Sequence, residues 1–226
     1  MDVAIVNFNT PEITAATVKS VWKHTPGARV TVFDNSTERP MPKMDGVFLM
    51  DNTKGQLINF DAFLAKYPNK GETSNDWGSD KHCSTIDYLW GVFPAGFILL
   101  DSDALVKRDL SDIVDPDKAF VGEVFQDFSN PWHWLPRVLP FCCWINVPLC
   151  RKTGIRYFGE DRNWRLHRGD NRTWYDTGAS FYEDVLDHRL PRREIKVEDY
   201  VEHLGGGSYR QPDPMRWLEE NRSLYE

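Results

Sequence analysis

The chain of 226 residues has few cysteines, no long apolar run and no excess of positive charge. Its four cysteines form no C-x-x-C pair of the kind that binds zinc, and the adjacent Cys142 and Cys143 suit a disulfide framework poorly. We therefore expect reduced thiols. No stretch approaches the roughly 20 apolar residues of a membrane span. Because no basic leader follows Met1, we expect a cytoplasmic protein.

Acidic residues outnumber basic ones, and the formal net charge is −7 at pH 7. This balance argues against a protein that holds nucleic acid by neutralising its phosphates. No G-x-G-x-x-G pattern follows the first apolar run, which disfavours a dinucleotide-dependent oxidoreductase. That run is followed by Asn7-Phe8-Asn9-Thr10-Pro11 and not by a glycine-rich, basic phosphate loop, which disfavours a nucleotidyltransferase.

Short apolar runs that break into polar residues recur along the first half of the chain. They occupy residues 3–6, 30–33, 47–50 and 97–100, and each predicts a strand of a doubly wound sheet. Open α/β sheets hold ligands beyond the carboxyl ends of such strands. We expect one α/β domain over residues 1–226, with a nucleotide-binding half up to about residue 110 and an acceptor-binding and catalytic half after it.

Apolar residues at helical spacing separate these strands. A helix is predicted from Pro11, with Thr10 as its N-cap, until Thr25-Pro26-Gly27 ends it. A second helix is predicted over 82–92, after a loop over 69–79 that is rich in glycine, serine, asparagine and threonine. Further along, the sequence predicts strands over 121–124 and 141–147, a helix over 177–186 and a last strand within 195–201.

The strongest chemical signal is Asp101-Ser102-Asp103, which directly follows the apolar run 97–100. At a strand tip, two carboxylates can bind a divalent cation that also carries a substrate diphosphate. The alternative is an ordinary strand end with solvated carboxylates. A haloacid-dehalogenase-type phosphatase also places two aspartates after an apolar strand, but Leu105 stands at its fifth position and the motif lies far from the N-terminus.

Taken in order, these motifs resemble those of inverting family-two glycosyltransferases with the GT-A fold. The resemblance covers most of the chain and extends to a bacterial and phage subgroup through three later motifs: Leu135-Pro136-Arg137-Val138, Tyr175-Asp176-Thr177-Gly178 and His203-Leu204-Gly205-Gly206-Gly207-Ser208. It implies a mainly parallel central sheet flanked by helices. It also implies transfer of a sugar from a nucleotide-diphosphate donor, with UDP favoured, to an acceptor hydroxyl with inversion.

The resemblance, together with position along the chain, suggests roles for individual residues. Mn²⁺ or Mg²⁺ would be held by Asp101, Asp103 and His203, although a lone histidine is as often a packed or solvated residue. The donor would be bound by Asn7, Asn9, Thr10, Asp34, Lys81, His82 and Asp101. Thr10 and Asp34 have an alternative role as caps of helices or turns.

Transfer with inversion needs a base that takes the proton of the acceptor hydroxyl. Asp176, before a predicted helix, is the preferred candidate, with Asp184 as the second. Asp176 could equally act as an N-cap. Trp134 and Arg137, in a segment rich in aromatic residues, are candidates for binding the acceptor. That acceptor would be a glycan, a lipid-linked glycan, a protein or a modified nucleobase, and a nucleotide-sugar-binding protein without activity is the alternative.

Overall fold

The computed structural model describes residues 1–66, 74–126, 135–157, 175–205 and 213–226. Its helices are α1 (Pro11–His24), α2 (Phe60–Lys66), α3 (Ser74–Val92), α4 (Val147–Arg151), α5 (Ala179–Asp187) and α6 (Pro214–Glu220). Its strands are β1 (Asp2–Asn7), β2 (Arg29–Asp34), β3 (Val47–Asp51), β4 (Phe97–Asp101), β5 (Ala104–Val106), β6 (Phe120–Gly122), β7 (Val124–Phe125), β8 (Arg137–Val138), β9 (Cys142–Ile145), β10 (Arg193–Glu194) and β11 (Val201–His203). Short 3₁₀ helices occupy Leu110–Ile113, Val197–Asp199 and Arg222–Leu224.

In the described part of the chain, seven strands form the central sheet in the order β10-β6-β9-β4-β1-β2-β3. Neighbouring strands run parallel except where β9 pairs antiparallel with β4 and with β6. The predicted mainly parallel α/β sheet is therefore confirmed. Two small antiparallel sheets, β5 with β11 and β7 with β8, accompany it.

The central strands are apolar along their whole length because both of their faces are covered. On β4, Phe97 and Leu99 pack on one side of the sheet, while Ile98 and Leu100 pack on the other. The first side is covered by side chains of α3 and α5, and the second by side chains of α1. All four of these β4 residues are fully buried, so the continuous apolar run is explained by packing on both faces.

The first predicted helix has the expected bounds. Pro11 occupies its first turn, where a missing N–H costs nothing, and Thr25 lies at its C-cap. Thr10 occupies the N-cap position but makes no side-chain cap hydrogen bond. Its hydroxyl donates to Oδ1 of Asn7 instead.

Several predicted bounds are corrected by the structure. The loop predicted over 69–79 is wrong for residues 74–79, because α3 begins at Ser74; residues 69–73 lie outside the described residues. Serine, asparagine and aspartate favour the first turn of a helix as well as loops, which explains the error. The strand predicted over 141–147 ends at Ile145, and Asn146 then caps α4 by accepting from the Leu149 N–H at 3.1 Å.

The predicted last strand is also displaced. Residues Val197–Asp199 form a 3₁₀ helix, and the strand comes later, at Val201–His203. Val197 and Val201 are both buried, so the apolar spacing reflected burial and not one continuous strand. The four cysteines are free thiols, as expected. Among the described residues, no helix has the length and apolarity needed to cross a membrane.

Candidate active site

Asp101, Asp103 and His203 converge beyond the carboxyl end of β4. Asp101 is the last residue of that strand, and Asp103 directly precedes β5. The antiparallel pairing of β5 with β11 sets His203 opposite Ala104 and so brings its ring to the two aspartates. One ligand atom of each side chain lies within 4.8 Å of the others. The structure therefore brings together the three residues that the sequence predicted as metal ligands.

The His203 ring has a fixed place in this cluster. Its Nε2 atom lies 3.1 Å from Oδ1 of Asp103 and 4.0 Å from Oδ2 of Asp101. The Phe141 ring stacks on the imidazole, with 3.8 Å between the ring centroids. Sequence reasoning missed Phe141, because no local pattern reports a stacking partner so distant in the chain.

The electrostatics of the cluster suit a bound cation. Burial raises the pKa of Asp101, the charge of His82 opposes this, and the charge of Asp103 adds to it. Burial would lower the pKa of His203, but its hydrogen bond with Asp103 and the charges of both aspartates raise it. Two carboxylate oxygens and an imidazole nitrogen fit a divalent metal ion, which would relieve the repulsion between the two acids.

Two further predicted residues lie on α3, beside the cluster. The Nε2 atom of His82 is buried, has no hydrogen-bond partner among the described residues and lies 3.6 Å from Oδ1 of Asp101. The Nζ atom of Lys81 lies 5.9 Å from the centroid of the Phe8 ring and 5.5 Å from that of Phe60. Burial lowers the pKa of Lys81, and the charge of Asp61 opposes that shift.

Asn7 and Asp34, at the tips of β1 and β2, bind each other. The Asn7 Nδ2 atom donates to Oδ1 of Asp34 at 2.9 Å and to Oγ of Ser36 at 3.0 Å. The Asp34 carboxylate also accepts from the N–H of Ser36 at 3.0 Å and from that of Met41 at 2.7 Å. Both side chains are almost fully buried. These contacts fix the loop that follows β2, and a role in donor binding stays a prediction.

Asn9 and Thr10 hold the neighbouring backbone. Asn9 has a positive φ of 58°, and its Oδ1 accepts from three consecutive N–H groups, of residues 37, 38 and 39, at 2.9–3.0 Å. The Thr10 hydroxyl donates to Oδ1 of Asn7 at 3.1 Å and lies 3.4 Å from Oγ of Ser102. Thr10 thus links the tip of β1 with the turn between the two aspartates.

Arg137 and Asp176 form an ion pair. Nη1 of Arg137 lies 2.5 Å from Oδ2 of Asp176, and both side chains are less than one-fifth exposed. Burial raises the pKa of Asp101, whereas the charge of Arg137 lowers it. The helix predicted from Thr177 begins at Ala179 with Gly178 as its N-cap, so Asp176 is not the cap of that helix.

Two candidates remain, Asp184 and Trp134. Asp184 lies on α5 and is half-buried, with its backbone carbonyl accepting from the His188 N–H at 3.0 Å. Trp134 lies outside the described residues, as does the run 206–208 after His203.

The comparisons with known proteins bear on the fold. Neither a protein-family model nor a curated protein matches the chain. Among solved structures, the chain is similar to the galactosyltransferase LgtC in complex with donor and acceptor sugar analogues. The TM-score is 0.61 at 14% identity, over 100% of this chain and 95% of that one.

Two other structures give the same result. An active-site variant of LgtC has a TM-score of 0.55 at 15% identity, over 87% of this chain and 73% of that one. Mouse xyloside xylosyltransferase 1 in its apo form has a TM-score of 0.51 at 10% identity, over 87% of this chain and 86% of that one. Structural similarity at 10–15% sequence identity establishes the fold alone. The chain has the GT-A fold of these glycosyltransferases, as the sequence predicted.

Proposed function

We propose that this protein is a glycosyltransferase that depends on a divalent cation and moves a sugar from a nucleotide-diphosphate donor to an acceptor hydroxyl. The observation that carries the proposal is the convergence of Asp101, Asp103 and His203 beyond the end of β4. The similarity in fold to LgtC, whose structure contains donor and acceptor sugar analogues, supports it. We further propose a UDP-sugar as donor and a bacterial or phage origin, following the motifs in the sequence.

Asp101, Asp103 and His203 would hold Mn²⁺ or Mg²⁺. Bound there, the cation offsets the negative charge of the departing nucleotide diphosphate. Asp103 is proposed as the more direct ligand, as the resemblance to GT-A enzymes implies. Asp101 is proposed to face the ribose of the donor as well.

Lys81 is proposed to bind the donor diphosphate. Its ammonium group is half-buried between two aromatic rings, where burial has removed part of its hydration. A poorly hydrated cation gains more from an anionic ligand than a fully solvated one does. His82 follows Lys81 on α3. Burial raises the pKa of Asp101, the charge of His82 would lower it, and the His82 ring would approach the same phosphates.

The strand-tip residues are proposed to shape the donor pocket. Asn7 and Asp34 tie the loop after β2 to β1 through buried hydrogen bonds, and Asn9 ties the same loop through exposed ones. Thr10 extends these ties to Ser102, between the two metal-binding aspartates. A loop held in this way presents its backbone groups to the nucleotide in one conformation.

For the chemical step we propose Asp176 as the base that takes the proton of the acceptor hydroxyl, with Asp184 as the second candidate. Asp176 is proposed to lie beside the sugar, and Arg137 binds its carboxylate at 2.5 Å. The acceptor hydroxyl would have to displace Arg137 to reach this carboxylate. Arg137 is therefore proposed to contact the acceptor.

The test is a mass-spectrometric screen for consumption of nucleotide sugars with Mn²⁺, first against water and then against glycan, lipid-linked glycan, protein and modified-nucleobase acceptors. We expect a UDP-sugar to be consumed by the wild type and by Asp45→Asn, which alters an exposed acid before β3. Asp103→Asn should be inactive. Binding of UDP with Mn²⁺ but no turnover of any donor would instead identify a nucleotide-sugar-binding protein.

The stereochemical course and the base have their own test. NMR of the fresh product should show inversion of the anomeric configuration, and retention would rule out the single displacement. Substitution of the base from Asp to Asn should lower kcat by about 100-fold or more, with little effect on KM for the donor. Asp176→Asn and Asp184→Asn are compared for that purpose.

A further inference from the structure

One face of α1 carries a row of buried hydroxyl groups, one of which contacts the turn between Asp101 and Asp103, the proposed metal-binding turn. Thr14, Thr17 and Ser20 are spaced three residues apart, and all three are fully buried. Residues at this spacing lie on the same side of a helix. Hydroxyls are uncommon on the buried side of a helix unless each has a hydrogen-bond partner.

Each hydroxyl of this row has a different partner beyond the helix. Thr14 donates to Oδ1 of Asn7 at 2.7 Å, at the tip of β1. Thr17 donates to the carbonyl oxygen of Ser102 at 2.7 Å, in the turn between Asp101 and Asp103. Ser20 accepts from the N–H of Val106 at 2.8 Å, on β5. Along the helix, the row therefore contacts first the tip of β1, then the turn between Asp101 and Asp103, and then β5.

The backbone of the turn is held at three points. The Asp101 N–H donates to the carbonyl of Phe141 at 3.2 Å, and the Asp103 carbonyl accepts from the N–H of Leu204 at 3.0 Å. These two are contacts between backbone groups. The third, at Ser102, comes from the side chain of Thr17, so it is the contact of the three that a substitution can remove.

We propose that Thr17 is a positioning residue for the metal site. Its hydroxyl fixes the peptide between Ser102 and Asp103, in the turn that separates the two aspartates. Fixing that peptide sets the directions in which Asp101 and Asp103 leave the backbone, and hence the spacing of their carboxylates. This inference rests on the proposed metal-dependent function.

The experiment measures Mn²⁺ affinity in the absence of donor, by electron paramagnetic resonance of free Mn²⁺. Thr17→Val keeps the shape of the side chain but removes the hydroxyl, and the Ser102 carbonyl then loses its partner. We expect about tenfold weaker Mn²⁺ binding, the lower end of the range for groups that orient metal ligands. Thr17→Ser restores the hydroxyl and should bind Mn²⁺ like the wild type.

Thr25→Val is the matched control. Thr25 is also buried, lies at the C-cap of α1 and accepts from the Leu110 N–H at 3.0 Å, away from the metal-binding turn. The Thr25→Val variant should lose about as much thermal stability as Thr17→Val, and it should bind Mn²⁺ with the affinity of the wild type. If Thr17→Val does not fold, Thr17→Cys replaces it, since a thiol is a weaker donor than a hydroxyl, and it should bind Mn²⁺ more weakly than Thr17→Ser.

Equal Mn²⁺ affinity in Thr17→Val and the wild type, or in Thr17→Cys and Thr17→Ser, would overturn the role of Thr17 while leaving the metal site intact. A loss of affinity in Thr25→Val equal to that in Thr17→Val would also overturn it, because general destabilisation would then explain both. Absence of Mn²⁺ binding by the wild type would overturn the proposed metal-dependent function itself, and this inference with it.

Discussion

The Nε2 atom of His203 lies 3.1 Å from Oδ1 of Asp103, although 100 positions separate the two residues in the chain. The contact depends on β5 and β11, which form a two-stranded sheet beside the central one. Because this pairing sets His203 opposite Ala104, a shift of one residue would turn the imidazole away from the aspartates. The cluster of Asp101, Asp103 and His203 thus depends on strand register as much as on the Asp-X-Asp motif.

Removal of the cation is expected to abolish nucleotide binding. With Mn²⁺ present, UDP at a hundred times its Kd should stabilise the protein by about 2.7 kcal/mol, because it binds only the folded state. EDTA, or the substitution Asp103→Asn, should remove that stabilisation, while Asp45→Asn should retain it. Thermal unfolding with and without UDP measures the difference, and stabilisation that survives EDTA would contradict the role of the metal.

The affinity for Mn²⁺ is expected to fall as the pH is lowered. The two aspartates raise the pKa of His203 above its ordinary value near 6.5, despite the opposing effect of burial. The proton on His203 must leave before the ring can bind a metal. Below that raised pKa, the affinity should therefore drop by up to about tenfold per pH unit, since one proton is displaced.

Isothermal titration with Mn²⁺ between pH 6 and 8.5 measures this dependence. His203→Gln keeps a polar side chain without a titrating ring, so its weaker affinity should change much less over the same range. A pH dependence equally steep in His203→Gln would assign the proton to another group.

The strands of the first half were predictable because they are buried on both faces. Ile98 and Leu99 point to opposite sides of the sheet, and both are fully buried, so the run is apolar throughout. The Asp-X-Asp motif was equally visible, since its two acids stand one residue apart at the end of such a run. These signals are local and need no knowledge of the rest of the chain.

The remaining parts of the site depend on contacts between distant residues. The stacking of Phe141 on His203 and the bond from Thr17 to Ser102 leave no trace in local composition. Asn7 and Asp34 were predicted as donor contacts from their place at strand tips, but the same place lets them bind each other. Sequence pattern locates polar groups at the crevice and does not say which of them are already paired.

Asp34→Asn is expected to destabilise the protein in the absence of any ligand. The buried carboxylate accepts hydrogen bonds from Asn7, Ser36 and Met41, and an amide would set its own N–H₂ against one of these donors. The loss should be about 1–3 kcal/mol in urea unfolding. Asp51→Asn, at the exposed tip of the neighbouring strand, serves as the control and should lose less. Unchanged stability with lost UDP binding would show that Asp34 acts on the nucleotide directly.

Gly178, the N-cap of α5, is expected to tolerate no side chain. Its φ is +86°, and a Cβ atom added there would lie 2.2 Å from the carbonyl oxygen of Val138. Gly178→Ala should therefore lose about 2–5 kcal/mol, from the strain of the left-handed conformation together with the clash against β8. Gly154 has a similar φ of +77° but no atom of the described residues within 4 Å of an added Cβ, so Gly154→Ala serves as the comparison for backbone strain.

The difference in the free energy of unfolding between the two variants, measured by urea titration, isolates the contact with Val138. Gly154→Ala should lose about 1–2 kcal/mol. Gly178→Ala should lose more and should also disturb the ion pair of Arg137 with Asp176, because β8 carries Arg137 and Asp176 lies two residues before the glycine. Equal losses in the two variants would mean that β8 yields to the added methyl group, and that the α5 N-terminus is not held rigidly against it.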